Sequence, residues 1–234
     1  ETINSMIPIW KKNKSEVTEE DLNNFYKQKF MDYQNPVTNM FFNVEGNITY
    51  SSLIFIPEKP VFNMGNDNER GLQLYTKGVF ILDKCKELIP EYLKFVKGLV
   101  DSSDLSLNIS REMLQEDRTL NKIASNLEKK ILSELGKMLK NDRDKYKKFF
   151  DIYGVNLKYG AYEDYGVKKD LIKDLLIFDS FNIEKEITLS EYVSNMPEGQ
   201  TEIYYASGKN KESVNKLPQM DLVKKQGYDV LIFK

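Results

Sequence analysis

The residue types best suited to chemistry stand in one short stretch, the arginine loop Leu105–Gln115. Ser110, or Asn108, can cap a helix there, because its side-chain oxygen accepts a backbone amide of the first turn. This places Arg111 in that first turn, where the helix dipole is positive and a cation is unfavourable. Backbone amides, the dipole and a guanidinium together can bind an anion such as a phosphate group.

A structural role for Arg111 fits the same residues. Its guanidinium can extend into solvent or pair with a nearby carboxylate, namely that of Asp101, Asp104 or Glu112. The two interpretations differ in the surroundings of the arginine. A functional arginine needs an exposed loop at an open edge, whereas a structural one is held by acids in a packed turn.

Several other kinds of chemistry are excluded by composition. The chain has no histidine and a single cysteine, Cys85, so histidine-assisted nucleophiles, cysteine-rich metal cages and an internal disulfide cannot form. No metal site is predicted. Gly208-Lys209 follows a predicted strand, but Ile203 stands where a P-loop needs its first glycine and Asn210 where it needs serine or threonine.

Composition also bounds the class of protein. The 234 residues are 41% hydrophobic and 30% charged with a formal net charge of -2, which favours neither nucleic acid nor an anionic membrane as a partner. The sequence has neither a run of 18 apolar residues nor a signal-peptide pattern, so we expect a soluble, cytoplasmic protein. It starts without methionine and ends on a strand-like run, which suggests a piece of a longer protein.

The elements that would position the arginine loop can be read from local patterns. Thr18–Asp21 resembles a capping box at the start of a helix, and Pro90 suits the first turn of another helix that runs to Val96. Apolar residues spaced three or four positions apart predict a long amphipathic helix after the loop. The predicted strands are Met40–Val44, Tyr50–Ile56, Leu72–Tyr75 and Val79–Leu82, of which the first two form a hairpin. The predicted helix is Leu120–Met138.

The second half alternates helices and strands, which predicts a small parallel α/β unit. A second capping box, Thr188–Glu191, opens one of its helices. Two further helices are predicted before this capping box, and glycines are expected to separate them. The predicted elements are helices Asn141–Tyr153 and Asp164–Leu176 with breaks at Gly154, Gly160 and Gly166, strands Glu202–Ser207 and Tyr228–Phe233, and the intervening helix Asn210–Leu217.

The stretch Val96–Gln115 resembles the signature of the heat-shock protein 90 chaperones. Phe42–Gly46 and Leu88–Leu93 are similar to other parts of that family, and Glu198–Gly208 resembles its bacterial branch. The resemblance covers essentially the whole chain and implies the family's middle domain. The implied α/β fold has a larger α/β layered subdomain at 1–137, a helical connector at 138–166 and a smaller α/β layered subdomain at 167–234.

The resemblance also implies a function. In this family the loop arginine reaches the γ-phosphate of ATP held by a separate N-terminal nucleotide-binding domain, which gives Arg111 that role, with Gln115 and Asn108 as weaker candidates. ATP with Mg²⁺ would act in the full-length protein, and none would bind these residues alone. The family further implies client proteins as partners and a homodimer formed through a C-terminal domain.

Two aromatic residues are candidates for protein binding. Phe62 stands in a polar loop, where an exposed ring can serve as a contact surface. Trp10 either belongs to the same surface or anchors the first segment to the core. The rival to the chaperone interpretation is a non-catalytic α/β protein-interaction module that uses these aromatic residues and in which Arg111 does no chemistry.

Overall fold

The structure, a computed structural model, describes residues 7–60, 70–106 and 111–234, with the backbone only at 111–113. The chain divides into two compact units, Glu1–Asn156 and Leu157–Lys234. Each described unit contains a β-sheet with helices, so the predicted mixed α/β class is confirmed. The division into two layered subdomains and a separate connector remains a prediction.

The first unit is built on a five-stranded sheet. Its order is β1-β2-β5-β3-β4, and every neighbouring pair is antiparallel except the parallel pair β3 and β5. The strands are β1 Thr38–Val44, β2 Tyr50–Ile56, β3 Leu72–Thr76, β4 Val79–Cys85 and β5 Lys97–Ser102. The accompanying helices are α1 Glu19–Phe30, α2 Arg111–Glu116, α3 Arg118–Asn141 and the part of α4 Arg143–Gly166 that precedes Leu157. The predicted hairpin is therefore confirmed as β1 and β2.

The middle strand β5 corrects one prediction. A helix was expected from Pro90 to Val96, but the structure has a single 3-10 turn, Glu91–Leu93, and β5 begins three residues later at Lys97. β5 has sheet neighbours on both edges and is buried along almost its whole length. A short apolar run such as Phe95–Val100 is compatible with a buried strand or a buried helix, because periodicity alone does not distinguish the two.

Helices cover both faces of this sheet. On one face, the ring of Tyr26 in α1 lies 5.2 Å from that of Phe55, centroid to centroid. The side chain of Phe42 points to the other face, where the ammonium of Lys130 in α3 lies 5.0 Å from its ring centre. Helices α1 and α3 thus contact opposite faces of the sheet, and its strand β5 is buried along almost its whole length.

Helix α4 corrects a second prediction. Gly154 and Gly160 were expected to break the chain, yet both lie inside α4. A glycine costs a helix interior only about 1 kcal/mol, which tertiary packing can offset. A Cβ atom on Gly154 would lie 2.8 Å from the Phe150 ring, so the glycine makes room for that side chain. The backbone leaves helical geometry later, at Glu163–Tyr165, just before Gly166.

The second unit contains a smaller, mixed sheet of order β7-β6-β9-β8. Its strands are β6 Ile177–Ser180, β7 Ile187–Thr188, β8 Tyr205–Ser207 and β9 Leu231–Phe233, and its helices include α5 Lys169–Ile172, α6 Leu189–Ser194, α7 Lys211–Asn215 and α8 Met220–Lys225. The predicted parallel pairing holds for β8 and β9, but β6, which no pattern predicted, is antiparallel to both neighbours. The two predicted strands of this unit therefore form the predicted parallel pair, within a sheet that also contains antiparallel pairs.

Candidate functional site at the arginine loop

Buried leucines lie near both ends of the arginine loop. Leu105 and Leu114 are both almost fully buried, on either side of Asn108 and Ser110, which lie outside the described residues. Arg111 is the first residue of α2, as the predicted cap required, and Gln115 in the same short helix is exposed. The described ends of the loop are therefore fixed by apolar packing.

The segment that enters the loop is fixed to the turn between β1 and β2. The Ser102 hydroxyl donates to the carbonyl oxygen of Thr49 at 2.8 Å, and the Thr49 amide donates to the Asp104 carboxylate at 2.7 Å. The Asp104 amide completes the arrangement by donating to the Ser102 hydroxyl at 3.3 Å. These three hydrogen bonds hold the chain just before Leu105, because each joins it to a rigid part of the sheet.

Asp101, at the end of β5, joins three separate segments. Its buried carboxylate accepts a hydrogen bond from Trp10 Nε1 at 2.9 Å and one from the Gly78 amide at 3.2 Å. The ammonium of Lys11 lies 3.0 Å from the same carboxylate. A buried charge is tolerated when it is paired and hydrogen-bonded, and Asp101 meets both conditions.

The turn between β3 and β4 also contacts this end of the sheet. Lys77 and Gly78 both have positive φ, at 52° and 81°, in a two-residue turn of the kind that suits a tight hairpin. The Lys77 amide donates to the carbonyl oxygen of Ser102 at 3.3 Å. This turn was not predicted, although a Lys-Gly pair between two predicted strands is a signal for it.

The chain changes direction where it leaves the loop. The Asp117 side chain accepts from the Leu120 amide at 2.8 Å and caps α3, while the Asp117 amide donates to the carbonyl oxygen of Leu114 at 3.3 Å. The predicted helix Leu120–Met138 lies within α3, and Asp117 separates α3 from the short helix α2. Arg111 and Gln115 thus belong to a separate short helix.

The two aromatic candidates differ in what is known of them. Phe62 lies outside the described residues. Trp10 is only 8% exposed, its indole donates to Asp101, and its ring centre lies 5.0 Å from that of Tyr75. Trp10 therefore anchors the first segment to the core instead of presenting its ring to a partner, which is the alternative that the sequence left open.

Cys85 is unsuited to nucleophilic chemistry. Its side chain is fully buried, and burial, with a smaller contribution from the neighbouring Glu87 carboxylate, raises the pKa of the thiol to about 12. A thiol with that pKa is almost entirely protonated near neutral pH, whereas the thiolate is the reactive form. Over 7–60, 70–106 and 111–234, no three side chains of the ligand-forming types come together as a metal site. None of the helices in those ranges could cross a bilayer.

Comparisons with known proteins agree with this fold and with the loop sequence. The sequence profile of the Hsp90 protein family matches residues 1–234. The whole chain is 52% identical to the chaperone protein HtpG of Oceanobacillus iheyensis and 50% identical to that of Bacillus subtilis, and it spans 37% of the length of each. A solved structure described as the middle domain of a Plasmodium falciparum heat shock protein superposes with a TM-score of 0.84 at 35% identity, over 97% of this chain and 89% of that one.

The fold and these relatives define a domain of the molecular chaperones of the heat-shock class. The chain belongs to the Hsp90 family, and it is a middle domain of the bacterial HtpG type. The resemblance found in the signature around Arg111 is therefore confirmed. These HtpG relatives are more than twice as long as the chain.

Proposed function

We propose that the chain is the middle segment of an ATP-dependent chaperone and that it supplies Arg111 to the γ-phosphate of ATP bound in a separate N-terminal domain. The observation that carries the proposal is the fixed framework on both sides of the loop, with Leu105 and Leu114 buried and Asp104 held by Thr49. A catalytic group must be held close to its working position, since small displacements are costly. Gln115 and Asn108 are secondary candidates in the same loop.

The surroundings of Asp101 support this role over the structural one. Asp101 already has a cationic partner in Lys11 and two hydrogen-bond donors, and Asp104 accepts from a backbone amide. The charge of Asp101 is therefore balanced by Lys11 without Arg111. This counts against Asp101 as the acid that would pin Arg111 in the interaction-module alternative.

The chemistry asked of Arg111 is electrostatic. Its guanidinium would neutralise charge that develops on the phosphoryl oxygens during transfer, and its planar fork can contact two of them at once. In GTPases an arginine supplied in this way is worth roughly 10³–10⁵ in rate, which sets an upper guide here.

The remaining partners follow from family membership. We propose a cytoplasmic full-length homodimer, joined through a C-terminal domain, that acts on unfolded or partly folded client proteins. Phe62 remains a candidate for client contact. Trp10 is not included, because a residue with 8% exposure and a buried hydrogen bond offers too little surface to a partner.

Substitutions of Arg111 in the full-length protein test the proposal. Arg111→Ala should lower ATP turnover at least ten-fold, which corresponds to about 1.4 kcal/mol of transition-state stabilisation. The melting temperature should hardly change, because a cation at a helix N-terminus opposes the dipole. ATP affinity should change less than turnover, since most contacts to bound ATP belong to the other domain.

Arg111→Lys serves as the charge-matched variant. It should restore turnover only in part, because an ammonium cannot bridge two oxygens in one plane. Normal turnover combined with a large drop in melting temperature for Arg111→Ala would contradict the proposal and support the non-catalytic interaction module.

A further inference from the structure

An open pocket, here called the tyrosine pocket, lies in the second unit at the C-terminal end of α4. It has a volume of about 660 Å³, and its described lining comes from the single stretch 159–166, which contributes three tyrosines and two acids. Asp164 and Tyr165 both have positive φ, at 49° and 58°, so the backbone leaves the helix inside this stretch. The pocket is therefore built from the last turns of a helix and the irregular segment that ends it.

The lining tyrosines present aromatic surface to solvent. Tyr159 is 47% exposed, Tyr162 is 82% exposed and Tyr165 is fully exposed. Aromatic side chains normally bury a large area, so exposed rings that line one pocket are candidates for contact with a ligand. The face of a phenol ring carries partial negative charge and attracts a cation placed over it. The rings therefore favour a cationic group that has a flat or apolar surface.

The two lining acids, Glu163 and Asp164, favour a cation as well. Within the part of the chain that the structure describes, their side chains form neither an ion pair nor a hydrogen bond. The segments outside that part, residues 1–6, 61–69 and 107–110, contain no lysine or arginine. Arg111, whose side chain is not described either, is the group proposed for ATP. A cationic ligand would therefore give both carboxylates the partner that they otherwise find in water.

The surface next to the pocket is apolar. Val167 is 80% exposed and Leu171 is 48% exposed. Lys169 also lies close, with its Cδ atom 3.7 Å from the position that a Cβ atom would take on Gly166, but this lysine is exposed and forms no ion pair with the two acids. A cation site beside exposed apolar side chains suits an extended polypeptide, because a polypeptide can contact both kinds of surface.

We propose that the tyrosine pocket binds basic segments of unfolded client polypeptides, with the guanidinium of a client arginine against the tyrosine rings and the two carboxylates. Arginine is favoured over lysine, because its planar guanidinium stacks on aromatic faces and is more weakly hydrated than an ammonium. Each contact between a cation and an exposed ring is weak, so the pocket provides a transient contact. The inference rests on the client-binding part of the proposed function and is independent of the role of Arg111.

NMR titration of the isotopically labelled 234-residue chain, without nucleotide, tests the pocket. The probe is a short glycine-serine peptide that carries three arginines, which should shift the amide signals of residues 159–167; the same peptide with glutamine for arginine should not. Glu163→Gln/Asp164→Asn should weaken binding about ten-fold, since it removes both charges, and asparagine tolerates positive φ. The matched control, Glu45→Gln/Glu198→Gln, removes two exposed acids that do not line the pocket and should leave the affinity within about two-fold.

Substitutions of the rings separate stacking from hydrogen bonding. Tyr162→Phe/Tyr165→Phe keeps both aromatic faces and should bind the arginine peptide within about two-fold of the unsubstituted chain. Tyr162→Leu/Tyr165→Leu keeps apolar bulk without an aromatic face and should weaken binding about five-fold. Lys169→Gln removes a positive charge close to the pocket and should strengthen binding about two-fold, a result that an impaired fold does not produce.

Four results would overturn the proposal: no shifts with the arginine peptide, equal affinities of the acid and control variants, equal affinities of the phenylalanine and leucine variants, or equal binding of a matched lysine peptide. None of them bears on ATP turnover, because no nucleotide is present. A full-length protein that binds an unfolded client equally well with and without Glu163→Gln/Asp164→Asn would retain its proposed function and exclude this pocket as the client site.

Discussion

Asp101→Asn is the substitution that most directly probes the framework beside the arginine loop. The change keeps the size of the side chain, so it creates no cavity. It replaces one carboxylate oxygen by an amide that donates. One orientation of that amide faces Trp10 and Lys11, and the other faces the Gly78 amide, so each orientation sets donor against donor.

The expected cost follows from these contacts. A hydrogen bond to a charged group contributes about 1.5–3 kcal/mol, and breaking a fully buried ion pair costs about 3–5 kcal/mol. Lys11 keeps 34% of its side-chain exposure, so water partly replaces the carboxylate. We therefore expect Asp101→Asn to lower the free energy of unfolding by about 2–4 kcal/mol.

Urea unfolding followed by fluorescence can measure this loss. Trp10 is the single tryptophan of the chain and contacts Asp101 directly, so its emission reports on the first unit. With a slope of about 2–3 kcal/mol per molar urea, the midpoint should fall by roughly 1 M. Asp151→Asn is the control, because Asp151 is 57% exposed and its i,i+4 pair with Lys147 is worth at most about 1 kcal/mol.

Equal midpoints for the two variants would refute the reasoning. They would mean that the buried carboxylate contributes no more than a surface ion pair. The Asp101 contacts could then no longer explain how the end of β5, and with it the entrance to the arginine loop, is held in place.

Three further predictions concern stability. Gly98→Ala should lower the free energy of unfolding in urea by at least about 2 kcal/mol, because the new Cβ would lie 2.2 Å from the Leu53 carbonyl oxygen. Gly46→Ala is the control, since Gly46 has the same φ of 153° but nothing within 4 Å of its Cβ position, and it should cost clearly less. Equal costs would contradict the steric argument. Burial raises the pKa of the Cys85 thiol from 9.0 to about 12, so the stability it contributes is complete below pH 9 and is lost as pH rises toward 12. Buried Tyr50, whose pKa is also raised to about 12, adds to the loss, so in an alkaline melting series Cys85→Ala should lose less stability than the unsubstituted chain, and an equal loss would contradict the contribution of Cys85. Thr188→Ala removes the cap of α6 and should cost about 1 kcal/mol, whereas Thr188→Ser should cost less; equal losses in thermal melts would count against the capping hydrogen bond.

Local chemistry explains which elements could be predicted from the sequence. The capping boxes at Thr18 and Thr188 are both present, because such boxes are determined by residues three apart. The hairpin of β1 and β2 was predicted for a similar reason. By contrast, β6 is only four residues long and buried, and its flanking sequence continues a helical pattern, so local signals did not separate it from a helix.

The candidate site was only partly predictable. Family resemblance identified the arginine loop, and the position of Arg111 at the start of a helix followed from its cap. The bond between Trp10 and Asp101 joins residues 91 positions apart, which no local pattern reveals. For the same reason, Asp101 entered the sequence argument only as a potential partner of Arg111, although its contacts lie with Trp10, Lys11 and Gly78.

The central claim, that Arg111 acts on ATP held by another domain, is tested most directly by adding this chain to a separately produced N-terminal nucleotide-binding domain. Steady-state ATP turnover should rise with the concentration of the added chain. The Arg111→Ala chain should fold equally well, but its stimulation of ATP turnover should be at least ten-fold smaller than that of the unsubstituted chain. Equal stimulation by both chains would contradict the account.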